Sequence, residues 1–223
     1  MEISIAIDGP SGSGKSTTAR RVAQRLNIYY IDTGAMYRAV ALLSMRKNID
    51  LEDKDEISRL SKETNIEFGQ ITGEDSQKVF LNNEEVTDLI RTNEVDEIVS
   101  EVASIPEVRE IMLNKQRELA RKSGVVMEGR DIGSRVLPGA DLKIYLTASL
   151  NTRARRRFRE LKEKGKQIDF AKVKDNIRLR DEQDKSRSHS PLVRPDDAIE
   201  IKTDDFGPNK VVEKIIELIK KEV

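Results

Sequence analysis

Five short apolar runs punctuate the chain: Ile3 to Ile7, Ile28 to Ile31, Val125 to Met127, Leu142 to Leu146 and Ala198 to Ile201. Runs of this length without polar alternation predict strands buried on both faces. Between them, apolar positions recur at helical spacing. Ala19, Val22, Ala23 and Leu26 follow i, i+3, i+4, i+7, as do Val95, Ile98, Val99 and Val102. Val108, Ile111, Met112 and Lys115 do the same and continue to Leu119, and a last helix carries Val211, Val212, Ile215, Ile216 and Ile219 on one side. Strands alternating with helices predict a parallel sheet covered on both faces. One stretch breaks the rhythm. Ile66 to Ile71 and Lys78 to Leu81 read as strands, with turns at Thr72-Gly73 and Asn82-Asn83 and a candidate third strand at Val86-Thr87. This predicts a small antiparallel insert rather than a crossover.

The first strand leads directly into Asp8-Gly-Pro-Ser-Gly-Ser-Gly-Lys-Ser-Thr17, and Gly9-x4-Gly14-Lys15-Ser16 has P-loop spacing. The glycines let backbone N–H groups turn inward around phosphate oxygens. Lys15 brings a mobile charge to the β and γ phosphates, the Ser16 hydroxyl is a Mg²⁺ ligand, and the helix starting there points its positive end at the anion. Gly/Ser-rich turns match this spacing by chance, but here the motif lies between a strand and an amphipathic helix. The phosphate-binding set is Gly9, Pro10, Ser11, Gly12, Ser13, Gly14, Lys15, Ser16 and Thr17. Hydrolysis, switching and phosphoryl transfer all begin from such a loop. The Asn-Lys-x-Asp motif that reads guanine in switch GTPases is absent: Asn114-Lys115 is followed by Gln116-Arg117, and Asn209-Lys210 by Val211-Val212. Phosphoryl transfer is mostly positioning and charge neutralisation, so a kinase predicts arginines that close over the reactants.

Composition narrows the choice. Forty basic residues balance forty acidic ones, which counts against a protein that coats nucleic acid. With no cysteine and His189 as the single histidine, thiolate chemistry, zinc–sulfur sites and histidine-based metal clusters are excluded. No apolar run approaches the roughly 20 residues that span a bilayer, and the start of the chain has no signal-peptide character. The expectation is a cytoplasmic protein, and 223 residues suit one domain or one domain with small inserts.

The arginines are concentrated in the second half. Asn151-Thr-Arg-Ala-Arg-Arg-Arg-Phe-Arg places Arg153, Arg156 and Arg157 on one side of a helix. A solvated basic face or an RNA-binding patch is the alternative reading of this segment alone. The next helix has Asp169 as N-cap, Ile168 and Val173 as a hydrophobic staple, and Phe170, Val173 and Ile177 as its buried stripe. The same spacing carries that stripe onto Arg180, Asp184 and Arg187. Charges in inward positions are costly unless they meet a ligand, water or each other. A mutual ion-pair network is one reading and a lid that reaches substrate phosphates is the other. Asp32-Thr-Gly-Ala-Met-Tyr-Arg begins a helix after the second strand, so Thr33, Tyr37 and Arg38 are expected near the carboxyl edge of the sheet, where open α/β folds bind ligands. Glu128-Gly-Arg-Asp-Ile-Gly follows the third strand in the same way.

These motifs, with Ile90-Arg-Thr, Val108-Arg109 and Arg180-Asp-x-x-Asp184-x-x-Arg187 in this order, resemble bacterial cytidylate kinases over essentially the whole chain. The resemblance implies a P-loop nucleoside monophosphate kinase fold: a five-stranded parallel sheet with helices on both faces, a small antiparallel insert and a helical lid. It divides the chain into a core (1–64, 120–149, 189–223), a monophosphate-binding insert with flanking helices (65–119) and a lid (150–188). The implied reaction passes a phosphoryl group from MgATP to CMP or dCMP, in a monomer that engages neither nucleic acid nor membrane. By position, Arg38, Arg130 and Arg180 correspond to clamps on the CMP phosphate, with Thr33 and Tyr37 beside them. Ser100, Arg109, Asp131 and Arg187 correspond to the cytosine-reading set, and Asp184 to the ribose contact. Lys15, Arg153 and Arg157 correspond to donor-side charges. With Arg130 and Arg180 they form the catalytic group, and Ser16 is the metal ligand.

Overall fold

The computed structural model describes residues 3–72, 76–121, 123–163, 165–187 and 189–222. In chain order the elements are β1 (Ser4–Asp8), α1 (Lys15–Leu26), β2 (Tyr29–Asp32), α2 (Thr33–Arg46), α3 (Lys54–Glu63), β3 (Ile66–Thr72), β4 (Ser76–Leu81), β5 (Glu84–Glu85), α4 (Asn93–Val102), α5 (Pro106–Ala120), β6 (Val125–Gly129), β7 (Leu142–Thr147), α6 (Leu150–Glu163), α7 (Phe170–Ser186), β8 (Ile199–Lys202) and α8 (Pro208–Glu222). The main sheet runs β2-β6-β1-β7-β8 and every pairing in it is parallel.

All five apolar runs become strands of this sheet, and the period of two along a strand decides which face each residue serves. Ala6 of β1 faces a core built with Met36 and Val40 of α2, Val99 of α4 and Met112 of α5. Its neighbours Ile5 and Ile7 face a second core with Val22 of α1 and Val211 and Ile215 of α8. β1 is thus buried on both sides, which is why its sequence is continuously apolar. Helices α6 and α7 share a core of their own from Ala154, Leu161, Val173 and Ile177, closed by Phe158 and Phe170 edge to face at 5.7 Å. Asp169 caps α7 as expected, accepting from the N–H groups of Ala171 and Lys172.

The antiparallel insert is β3-β4-β5. Its third strand is Glu84–Glu85 and not the expected Val86-Thr87. Asn82 and Asn83 both adopt positive φ, 49° and 70°, so the chain reverses in two residues and pairing resumes at once, with Leu81 opposite Glu84. Val86 still donates to Val79 O at 2.8 Å, but Val79 N–H is met by the Thr87 side chain at 3.1 Å, which ends the ladder. The turn expected at Thr72-Gly73 lies outside the described residues. A π-helical turn at Ile132–Val136, directly after the Gly129-Arg-Asp segment, was not foreseen.

Candidate active site

The phosphate loop joins β1 to α1. Gly9 has φ 151°, and a Cβ there would lie 2.0 Å from the Leu146 carbonyl oxygen of β7, so only glycine lets the loop leave the sheet this way. Gly14, also left-handed, is the N-cap of α1 and provides no side-chain cap, so the first N–H groups face the loop's own concavity. The Lys15 ammonium bends back onto Pro10 O at 2.8 Å. Burial, and then the nearby Arg130 guanidinium, pull its pKa down to about 7. A lysine held in this way gains a full charge partner when an anion enters. Ser13 Oγ is buried in the same loop with no hydrogen-bond partner. The loop therefore fits a polyphosphate.

Two carboxylates end the neighbouring strands. Asp32 caps α2 by accepting from Ala35 N at 3.1 Å, and its other oxygen takes Arg91 at 3.2 Å. Glu128 accepts from the Tyr30 hydroxyl at 2.7 Å and is hydrogen-bonded to Ser16. Burial, and then the charge of Asp32, raise its pKa above the ordinary carboxylate range. Ser16 with these two carboxylates is a hard-oxygen set of the kind Mg²⁺ takes. Thr33 commits its hydroxyl proton to Glu128 O at 2.7 Å, tying α2 to the end of β6.

Asp8, the last residue of β1, is 2% exposed and is reached from a segment 124 residues further on. Its two oxygens accept from Ile132 N at 2.9 Å and Gly133 N at 2.7 Å. Burial raises its pKa to about 6, against the pull of those two N–H groups. The bonds pin the turn that carries Arg130 and Asp131. Gly129 lets this turn begin: a Cβ there would meet Thr33 Oγ1 at 2.6 Å.

The P-loop opens onto a cleft of about 2030 Å³, which continues into a side chamber of about 200 Å³. Lys15, Tyr37, Ser100, Arg109, Arg130 and Asp131 line the chamber, together with Arg180, Asp184 and Arg187 of α7 and the turn after it. Arg109 and Asp131 form a buried ion pair at 2.8 Å. The Arg109 guanidinium also donates to Ala103 O and lies 5.4 Å over the Tyr37 ring, while its Nε is buried without a partner. Burial pushes the Tyr37 hydroxyl up to about 12 and keeps it neutral. Asp184 accepts from Arg130 at 2.7 Å and pairs with Arg187 at 2.6 Å. Burial raises the Asp184 carboxyl, but Arg130, Arg187 and Arg180 outweigh that and hold it below its usual value. Arg180 differs from the others. It makes no side-chain hydrogen bond or ion pair among the described residues, and burial with Arg130 and Arg38 nearby lowers its pKa to about 10.

The arginines of α6 are divided among tasks. Arg153 is buried, with Nε on Ala148 O at 3.0 Å and Nη1 on Ser11 O at 3.0 Å and on Asp181 at 2.7 Å. It braces the phosphate loop against α6 and α7. Arg156 turns to Thr203 and Arg157 to Asp96 and Glu160. Only Arg155 and Arg159 of the five are exposed, so this segment is not a continuous basic face. Sequence reasoning assigned no part to Asp8, Asp96 or Asp181. Asp8 had one signal, a carboxylate closing an apolar strand. Asp96 and Asp181 fall on helix positions that look solvated until α6 and α7 are packed.

The chain matches the family model described as cytidylate kinase over residues 5–221. It is 47% identical to a cytidylate kinase of Caldanaerobacter subterraneus subsp. tengcongensis, over 99% of this chain and 96% of that one. It is 45% identical to the cytidylate kinase of Bacillus subtilis, over 98% and 96%. Among solved structures, a shikimate kinase from Bacteroides thetaiotaomicron superposes with a TM-score of 0.51 at 14% identity, covering 99% of each chain, which is a likeness of fold alone. Fold, motif order and full-length similarity agree, and the chain belongs to the cytidylate kinase family.

Proposed function

We propose that the protein transfers the γ-phosphoryl group of ATP to CMP or dCMP, giving ADP and CDP or dCDP. The observation that carries this is the shared chamber. The phosphate-loop lysine, the arginine cluster and the buried Arg109–Asp131 pair line one small space. The pair sets a carboxylate oxygen beside a guanidinium N–H. Cytosine offers the complement, an N4–H₂ donor beside the N3 acceptor. Uracil reverses both groups, and mismatched buried polar groups can discriminate by about 10⁴ or more. Ser100 and Arg187 complete the base edge, Asp184 takes the ribose, and Arg38, Arg130 and Arg180 take the acceptor phosphate, with Thr33 and Tyr37 behind them.

Transfer is in line. An oxygen of the acceptor phosphate bonds to the γ-phosphorus as the bond to the β–γ bridging oxygen breaks, and ADP leaves with that electron pair. The acceptor oxygen is already ionised, so no strong general base is required. The loop N–H groups, Lys15 and the lid arginines, Arg157 among them, neutralise charge on the transferring group, while Arg153 holds the loop and lid together. Ser16, with Glu128 and Asp32, would hold Mg²⁺, which supplies charge neutralisation on the donor phosphates when bound. Closure of α6 and α7 excludes water, which otherwise takes the phosphoryl group. The reading carries with it a monomer in the cytoplasm. Among the described residues, no helix is long and apolar enough to cross a membrane.

The test is ADP release from MgATP with CMP, dCMP, UMP, AMP and GMP offered separately. Turnover confined to CMP and dCMP is the expected outcome. Turnover with a different monophosphate would keep the transfer chemistry and overturn the base assignment.

A further inference from the structure

Asp96 lies in the first turn of α4, and its carboxylate holds guanidinium groups from two other parts of the molecule. Oδ1 is 2.5 Å from Arg38 Nη1 of α2, and Oδ2 accepts from Arg157 Nη2 of α6 at 3.1 Å. One carboxylate therefore joins the core, the acceptor-side helix and the lid. All three side chains line the cleft, and Ser100, one turn further along α4, shares the face of Asp96. A second contact, from Lys166 to the Asn93 side chain, ties the lid to the start of the same helix.

A carboxylate and a phosphate ask the same thing of a guanidinium group. We propose that Asp96 is an internal counter-anion that competes with the acceptor phosphate for Arg38 and with the transferring group for Arg157, and so sets acceptor affinity and the ease of product release. The proposal rests on the acceptor-phosphate role given above to Arg38. Without substrate, Asp96 offsets the mutual repulsion of Arg38, Arg130 and Arg180, which crowd one end of the cleft. When a phosphate reaches Arg38, the Asp96 carboxylate is already beside it. It then acts as a like charge, and its effect grows with the charge of the ligand. CDP feels it more than CMP, and cytidine, which has no phosphate, does not feel it.

Asp96→Asn keeps the shape and removes the charge. The expected result is a KM for CMP lower by about three- to tenfold and a CDP product-inhibition constant lower by at least as much. Competitive inhibition by cytidine is unchanged, and kcat falls as product release slows. Asp96→Ala gives the same pattern, and thermal unfolding establishes that both variants are folded. A KM for CMP that is unchanged or raised overturns the proposal. So does a cytidine constant that shifts with that of CMP, because the change then lies in the base pocket. Wild-type protein without CMP-dependent turnover would remove the functional reading underneath, an outcome seen before any variant is made.

Discussion

Replacing Asp181 by Asn tests whether α6 and α7 are braced against the phosphate loop. Arg153 and Asp181 sit 2.7 Å apart with side chains only 7% and 12% exposed. Unit charges about 4 Å apart at an effective dielectric near 20 attract by ~4 kcal/mol. Removing one partner of a buried pair typically costs about 3–5 kcal/mol, because the other charge stays buried without compensation. Arg153 keeps its bonds to Ala148 O and Ser11 O in the variant, which soften the loss, so the lower end applies: about 3 kcal/mol. For a chain of this size that corresponds to a Tm lower by roughly 6–12 °C. Total stabilities of ~5–15 kcal/mol leave the variant folded at ambient temperature. Urea unfolding followed by circular dichroism measures the loss, and a double-mutant cycle isolates the pair. Arg153→Met combined with Asp181→Asn should be more stable than Asp181→Asn alone, since no stranded charge remains. A loss under about 1 kcal/mol in the single variant, with no recovery in the double, would show that solvent screens this pair and that the brace is not real.

Arg180→Ala should lower kcat/KM for CMP by at least about a hundredfold while leaving the Tm unchanged or raised, because it removes a desolvated cation that crowds Arg130 and Arg38; steady-state kinetics and calorimetry together check this, and a large fall in Tm contradicts it. Asp131→Ala should lower kcat/KM for CMP far more than it lowers ATP binding; equal losses in titrations of the two ligands would refute its base-reading role. Asp8 has a folded-state pKa raised to about 6, above its unfolded value, so its protonated form favours the folded state at low pH and that contribution is lost as pH rises through 6. The stability difference between wild type and Asp8→Asn should therefore shrink by about 2–3 kcal/mol between pH 4 and 7, read from urea midpoints. A difference that does not change with pH would mean the carboxyl is not buried as described.

Much of this was legible along the chain. Continuous apolar runs mark strands buried on both faces, and β1, β2, β6, β7 and β8 appeared within a residue or two of the expected positions. The break in periodicity from Phe170 and Val173 to Arg180 and Asp184 marked an inward face that meets charge, and the structure contains that face. The ion-pair network that was one reading of that face is present. Asp184 pairs with Arg130 and Arg187, while Arg180 beside them makes no hydrogen bond or close ion pair among the described residues. What stayed hidden depends on pairing across distance. Nothing local distinguishes Asp181, which braces Arg153, from the exposed Glu182 beside it. Arg153, Arg156 and Arg157 look alike in a basic run, and only packing separates a buried brace from a cleft-lining charge. The early start of β5 was missed because two successive asparagines in left-handed conformations shorten the turn, a choice of backbone that an Asn-Asn pair permits without requiring it.

The bonds from Asp8 to Ile132 and Gly133 have a consequence for how the two halves of the site keep their spacing. β1 ends in the phosphate loop, β6 ends in the turn bearing Arg130 and Asp131, and the two strands are paired in register from Ser4 opposite Val125 to Asp8 opposite Gly129. Asp8 extends that registration one step past the last ladder bond, into the loops themselves. The gap between the phosphate loop and the turn bearing Arg130 is thus a dimension of the sheet. The sheet acts as the ruler. An acceptor pocket remodelled on α4 and α5 would inherit the same spacing unchanged, so long as that one carboxylate is retained.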